Sequence, residues 1–298
     1  MTAAVRLPLA FRIGTRTLVS VRRTLKRVPL SLDDALAGRA PVLTSLDGAD
    51  GYLVTSLPAA RLNAVAGATA CIVAVRQRYT RYYADLTIGF DAWWQGLSGN
   101  TRSGLKRKAK RIAGLKVRSY RTPAELEAFH AIARGIAEKT YQERLMGAGL
   151  PADADFVRDM LADAAAGTVR AWLLFTGRAA VAYLYCPVRA GTVIYEYVGH
   201  DPAFGELSPG AVLQMEAMRD LFAESGLTRF DFTEGEGQHK RSMATGGVEC
   251  LDLLLLRPTL ANRAVVAGLS GFDRAVALAK AGVQRAGLQE WARKVRRG

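Results

Sequence analysis

The stretch from Thr192 to Phe222 constrains the fold of this chain more than any other. It opens with β-branched and aromatic residues, runs without proline from Thr192 to Val198, and closes on Gly199, which is the composition of a strand. A connection bearing Gly, Pro and Asp follows, and then a helix whose start is written out. Ser208 stands at the N-cap, Pro209 at the first helical position, where a missing N–H is no loss, and Gly210 at the second. Leu213, Met215 or Glu216, and Leu221 continue at helical spacing to a stop at Ser225-Gly226. A strand delivered into a helix N-terminus puts unpaired amides and a partial positive charge beside the strand's end. That setting suits a phosphate or pyrophosphate, and Gly210 leaves room for it to approach the backbone.

The flanking segments extend the pattern. Val169 to Phe175 reads as a strand, Thr176-Gly177-Arg178 as a hairpin turn, and Ala179 to Val188 as the returning strand. Beyond the helix come a strand from Leu227 to Thr233, a Gly-rich acidic and basic turn from Glu234 to Arg241, and a strand from Val248 to Leu256. This order resembles the GNAT acyltransferase superfamily. The nearer resemblance is to the branch found in cellulose and exopolysaccharide biosynthesis, related to the Fem-type aminoacyltransferases of peptidoglycan. Leu97–Lys108, Tyr197–Gly210 and Arg229–Lys240 carry it.

The resemblance implies an α/β (α+β) fold with a mixed, mostly antiparallel central sheet flanked by helices. It implies an N-acyltransferase that moves an acyl group from acetyl-CoA or another acyl-CoA to an amine by direct attack, the amine belonging to an amino sugar or polysaccharide precursor. In that layout two strands splay to admit the pantetheine and the following helix holds the pyrophosphate. The cofactor residues would then be Tyr197, Val198, Ser208, Pro209, Gly210 and Ala211. The superfamily's Gln/Arg-x-x-Gly-x-Gly/Ala loop survives only in part, across Gly205–Gly210. Two alternatives stand beside this reading: a Fem-like transferase drawing on aminoacyl-tRNA, and a non-catalytic scaffold with the same fold.

At 298 residues, half of them apolar, the chain can bury a substantial core. Composition divides it into a small α/β unit at 1–97, in which the resemblance sees a degenerate GNAT-like half, an acyltransferase domain at 98–258, and a basic helical tail at 259–298. Gly268, Gly271 and Gly282 predict that the tail breaks into short pieces. Cys71–Val75 and Tyr79–Leu86 predict a hairpin turning at Arg76-Gln77-Arg78. No run approaches the ~18 apolar residues of a membrane span. The three cysteines are scattered and lack metal spacing, and the three histidines are not spaced as ligands, so no metal is expected and a reducing cytoplasm is.

The net charge of +14 points to a polyanionic partner, whether nucleic acid, anionic lipid or acidic glycan; the Fem-type resemblance implies tRNA, and the basic segments leave open a peripheral contact with the inner face of the membrane. The first 30 residues hold seven Lys and Arg and no acid, a pattern that leaves a transit-type peptide open.

Acyl transfer to an amine needs a base for the ammonium, a donor for the developing oxyanion and a path for the leaving thiolate. Strand alternation puts Tyr195 and Tyr197 on one face, with Glu196 and His200 on the other. Glu196, a carboxylate in apolar company, and His200, at the strand's end, are candidate bases. Lys240, in the flexible turn after the next strand, is the candidate to polarise the carbonyl. Arg102 and Arg107 on the basic helix at 98–111, Tyr141 and Gln142 in the glycine-bearing loop, and Asp231, Glu234 and His239 are the candidate acceptor contacts. That acceptor is a small molecule or a glycan or peptide amine.

Overall fold

The computed structural model describes residues 4–13, 16–140, 149–235 and 237–285. In chain order the elements are β1 (Ala4–Ile13), β2 (Arg16–Pro29), α1 (Leu32–Leu36), β3 (Gly51–Pro58), α2 (Leu62–Gly67), β4 (Ile72–Asp85), α3 (Phe90–Gly96), α4 (Gly99–Arg111), β5 (Leu115–Tyr120) and α5 (Pro123–Ala137). There follow α6 (Ala154–Ala165), β6 (Val169–Thr176), β7 (Ala179–Arg189), β8 (Thr192–Ile194), β9 (Tyr197–His200), α7 (Pro209–Phe222), β10 (Arg229–Asp231), α8 (Gln238–Met243), β11 (Gly246–Leu256) and α9 (Leu260–Arg285). The architecture is mixed α/β with mostly antiparallel strands flanked by helices, as expected of a GNAT-like fold.

Contacts divide the chain into two compact units, residues 1–79 with 249–298, and residues 80–248. Composition draws its lines at 97/98 and 258/259; the contact boundaries fall instead inside β4 and β11. The segment at 76–78 that looks like a turn in sequence is the middle of β4.

In the first unit β1 pairs antiparallel with β2, β2 parallel with β3, and β3 antiparallel with β11. The period of two along β11 sorts its leucines. Leu251, Leu253 and Leu255 join Val54, Leu57 and Val65 on one side, while Leu254 and Leu256 join Leu9, Leu25 and Leu269 on the other. The acid-free N-terminal segment is thus a pair of long strands, and its apolar residues Leu9 and Phe11 pack against α9. The expected breaks in the tail do not occur at Gly268 or Gly271, which lie inside α9. A helical Gly costs about 1 kcal/mol against Ala. Burial of Leu269, with Phe272 edge-on to Phe11 at 5.5 Å, offsets that. Gly282 also falls within α9. The predicted hairpin at Arg76-Gln77-Arg78 is also absent. β4 runs through it as one 14-residue strand, since no Gly, Asn or Asp is present there to supply the φ > 0 a tight reversal needs.

The second unit has the strand order β4, β10, β8, β7, β6, β5, with β9 pairing β7. Helices cover both faces. Trp172, Leu174, Leu184 and Cys186 pack toward Val212, Leu213, Met218 and Leu221 of α7, while Val169, Ala171, Leu173 and Tyr185 pack with Leu126 and Phe129 of α5 and Met160 of α6. Two covered faces explain why β6 and β7 read as nearly continuous apolar runs. The start of α5 is the capping box its sequence promises, with Thr122 and Glu125 exchanging backbone bonds. Trp93 is buried and donates from Nε1 to the Met243 carbonyl at 2.8 Å, a core role.

Candidate active site

The site is opened by one extra residue in a strand. β7 pairs with β8 at Val188↔Val193 and with β9 at Tyr185↔Tyr197. Two residues separate Tyr185 from Val188, and three separate Val193 from Tyr197, so Ile194-Tyr195-Glu196 contains a bulge. The expected unbroken strand from Thr192 to Gly199 is therefore two strands, and the alternation read from it fails. Tyr195 packs against Phe230 and Phe232, with ring centroids 5.8 and 6.2 Å away. Tyr197 packs on the opposite side, against Tyr185 and Phe156. Before the bulge β8 is zipped in parallel to β10, and the Tyr195 N–H donates to the Asp231 carbonyl at 2.9 Å. After it, β9 pairs only β7 among the described residues.

The gap on the outer edge of β9 is a cleft of about 570 Å³. Val198, Gly199 and His200 form its strand wall, and Gly210, Ala211 and Gln214 its helix wall. Tyr195, Thr140, Pro202 and His239 complete the lining. Gly199 is required where it stands, because a Cβ there would lie 2.5 Å from the Tyr183 ring. At Gly210 a Cβ would meet nothing within 4 Å, so this first turn of α7 faces open space.

Ser208 occupies the expected N-cap position, but its side chain makes no cap. Its backbone is left-handed at φ 53°, which is disfavoured by roughly 1–2 kcal/mol for a residue with a Cβ. The αL conformation follows the 3₁₀ turn of Pro202–Leu207, which Asp201 caps through Ala203 N–H at 3.0 Å. Pro209 is buried at the first helical position. A smaller cleft of about 370 Å³ adjoins, lined by Gly104, Leu105 and Lys108 of α4 and by residues of α8, and it shares Ala211 and His239 with the first.

The structure sorts the expected site residues. Val198, His200, Gly210, Ala211 and His239 come together at the cleft. Glu196 does not line it. It sits exposed at the bulge, on the side of Tyr185 and Tyr197. Desolvation raises its carboxyl above the ordinary range, Arg189 opposes the rise, and Asp163 adds to it. Arg170, a plausible partner for Glu196 by sequence, instead grips Glu224 with Nε 2.9 Å from both carboxylate oxygens.

Asp231 is 1% exposed and paired with Arg81, Nε to Oδ1 at 3.1 Å and Nη2 to Oδ2 at 2.5 Å. It also accepts from the Thr233 N–H at 2.8 Å. Both carboxylate oxygens are thus engaged within the protein. Lys240 donates to the Glu234 carbonyl at 2.5 Å. Burial lowers its ammonium's pKa, Asp231 and Glu234 raise it, and Arg81 lowers it. Glu234 is exposed. Arg102 donates to the carbonyls of Gln95 at 2.6 Å and Trp94 at 3.4 Å, closing the end of α3. Arg107 is exposed, and the basic residue of α4 that reaches a cleft is Lys108. Tyr141 and Gln142 lie outside the described residues.

Three lining residues are not among the candidates read from the sequence. Burial, with Cys186 adding, raises the Tyr195 phenol above its ordinary pKa, so it stays protonated. The Thr140 hydroxyl donates to the Ala137 carbonyl at 2.7 Å. Gln214 is 2% exposed, and its Nε2 has no hydrogen-bond partner among the described residues. The signal for Gln214 was present: it follows Gly210 by four residues, which places both on one helix face. At the other end of the cleft His239 is 6.3 Å from the Tyr195 ring. The residue is exposed, and partial desolvation, with the Lys240 charge second, lowers its pKa.

Residues 99–241 match the family model of the GNAT acetyltransferase domain. That domain makes the protein an N-acyltransferase, and it contains the cleft's walls. No protein of curated function matches the chain. Among solved structures, the C-terminal domain of a candidate lysylphosphatidylglycerol synthetase from Agrobacterium fabrum is similar at TM-score 0.50 and 11% identity, covering 74% of this chain and 72% of that one. FemX is similar at TM-score 0.50 and 11% identity, over 86% and 89%. A GCN5-related N-acetyltransferase from Kribbella flavida is 17% identical at TM-score 0.39, over 72% of each chain. The first two likenesses speak to the fold alone.

Proposed function

We propose that the protein transfers an acyl group from an acyl-CoA, acetyl-CoA being the simplest, to the amine of an amino sugar or polysaccharide precursor by direct attack. The observation that carries this reading is the cleft itself, formed where β9 leaves β10 and walled by the open first turn of α7. The amides around Gly210 and Ala211, at the positive end of α7, would take the pyrophosphate, with Lys108 close by in the adjoining cleft. The outer edge of β9 at Val198 and Gly199 would take the pantetheine arm. Bound there, the thioester supplies the activated acyl carbon.

His239 and His200 are the lining groups able to accept the amine's proton. Partial desolvation and the neighbouring Lys240 charge favour the neutral, proton-accepting form of the exposed His239. Glu196 lies away from the lining and is set aside as the base. Lys240 is tied to its own turn through the Glu234 carbonyl, and its charge favours neutral His239.

Calorimetric titration with coenzyme A tests the reading through Gly210→Glu. A side chain at this position enters empty space, and an acid in a first helical turn is favourable to the helix. The variant should fold as well as wild type and lose coenzyme A binding. A wild-type protein that does not bind, or a variant that binds equally well, overturns the proposal.

A second reading, transfer from aminoacyl-tRNA, draws support from where the charge sits. The unit of residues 1–79 and 249–298 holds 20 Lys and Arg against 8 Asp and Glu, a net +12. Residues 80–248 hold 21 against 19, a net +2. A polyanionic donor or an anionic surface would account for an excess of that size in the first unit.

A further inference from the structure

The unit of residues 80–248 buries one amide donor that the fold does not use. Gln214 lies on α7 between Leu213 and Met215, both core residues, and it is itself 2% exposed. Its Nε2 finds no acceptor among the described residues, and the side chain lines the cleft on the same helix face as Gly210 and Ala211. Most of its buried neighbours on this helix, Val212, Leu213, Met215, Ala217 and Met218, are apolar. A leucine or methionine would fit that pattern without leaving a buried donor unpaired, a state that proteins avoid because the group has given up water and gained nothing.

Of the groups that line the cleft with it, the Thr140 hydroxyl donates to the Ala137 carbonyl and the Tyr195 ring packs against Phe230 and Phe232. Among the described residues no acceptor reaches the Gln214 Nε2.

We propose that Gln214 is a ligand-reading residue whose Nε2–H donates to a carbonyl oxygen on the acyl-pantetheine arm of the bound donor. The proposal rests on the acyl-CoA reading above and adds the subsite to it. Two carbonyl sources share this chemistry: the amides of the pantetheine, present in free coenzyme A, and the acyl carbonyl, present only in the thioester. Gln214 acts by binding and positioning, and the bond holds the arm in register with the helix wall.

Gln214→Met keeps the length of the side chain and removes the amide, so structure and ligand roles predict opposite results. The melting temperature of the ligand-free protein should rise, because an unpaired buried donor is gone. The dissociation constant should weaken by about fivefold to twentyfold, the range for loss of one buried hydrogen bond.

Titration with coenzyme A and with acetyl-CoA separates the two sources. Equal weakening toward both assigns the pantetheine amides, and weakening toward acetyl-CoA alone assigns the acyl carbonyl. A variant that melts lower than wild type overturns the proposal, since Gln214 would then be a structural group. So does one that binds both ligands with unchanged affinity. If wild type binds neither molecule, the acyl-CoA reading falls and takes the carbonyl assignment with it. The melting comparison still decides whether Gln214 serves the fold.

Discussion

Asp231→Asn tests whether the carboxylate at the end of β10 serves the substrate or the fold. Asp231 receives Arg81 at two points, 3.1 and 2.5 Å, and both side chains are buried, at 1% and 8% residue exposure. The substitution keeps an oxygen for the Thr233 N–H and removes one charge of the buried Arg81–Asp231 pair. Breaking a buried pair from one side costs about 3–5 kcal/mol. That is a large share of the roughly 5–15 kcal/mol by which proteins are stable. For a unit of this size each kcal/mol shifts the melting temperature by about 2–4 °C, so a fall of roughly 6–20 °C is expected.

Pairing Asp231→Asn with Arg81→Met removes both charges and should recover at least about half of the loss, the signature of two directly coupled sites. The assay is denaturant unfolding of all four proteins, with acceptor KM measured alongside. A single variant that melts within about 2 °C of wild type but shows a raised acceptor KM would refute the structural role and return Asp231 to the substrate.

Three further outcomes follow from the site. If neutral His239 takes the amine's proton, kcat/KM rises with pH through a midpoint below the ordinary 6.5, because partial desolvation and Lys240 lower its pKa; His239→Gln removes that limb, and a limb lost instead in His200→Gln moves the role to His200. Glu196→Gln should leave kcat within about twofold of wild type while raising stability near neutral pH. The folded-state pKa of Glu196 is raised, so its ionisation opposes folding as pH climbs through and above the unfolded value, and that penalty vanishes in the amide. The excess charge of the unit of residues 1–79 and 249–298 predicts polyanion binding whose log affinity for tRNA falls linearly with log salt; retention of binding by residues 80–248 alone would place the contact elsewhere.

Much of the fold was legible because local chemistry agreed with the final arrangement. Thr122 and Glu125 announced α5, the Gly177 turn announced the β6–β7 hairpin, and Ser208-Pro209-Gly210 placed the start of α7. The errors share a cause. An interior Gly ends a helix only when nothing rewards its continuation, and α9 continues past Gly268 because Leu269 is buried. A charged triplet bends a strand only with turn residues to do it, and Arg76-Gln77-Arg78 has none. The bulge between β8 and β9 was invisible for a deeper reason. It is a property of register, fixed by how many residues of β7 stand opposite, and no composition within Ile194-Tyr195-Glu196 states that count. Since a single inserted residue reverses every face beyond it, the roles given to Glu196 and Tyr197 changed together.

Several departures from local rule lie on the elements that form the site. Ser208 and Thr233 are both left-handed, at φ 53° and 61°, and the second is β-branched, for which that conformation is a true outlier. Gln214 is a buried donor without a partner among the described residues, and the β8–β9 bulge interrupts the ladder beside them. Each feature is unfavourable by itself and survives only where its surroundings hold it. For Thr233 the restraint is visible: its N–H is held by Asp231 at 2.8 Å and its hydroxyl reaches the Tyr195 carbonyl at 3.4 Å. The same Asp231 is fixed by Arg81. The buried ion pair, the strained residue after β10 and the bulge that frees β9 are thus linked through one carboxylate. Loosening that anchor should cost activity as well as stability, even though Asp231 points at Arg81 and lines no cleft.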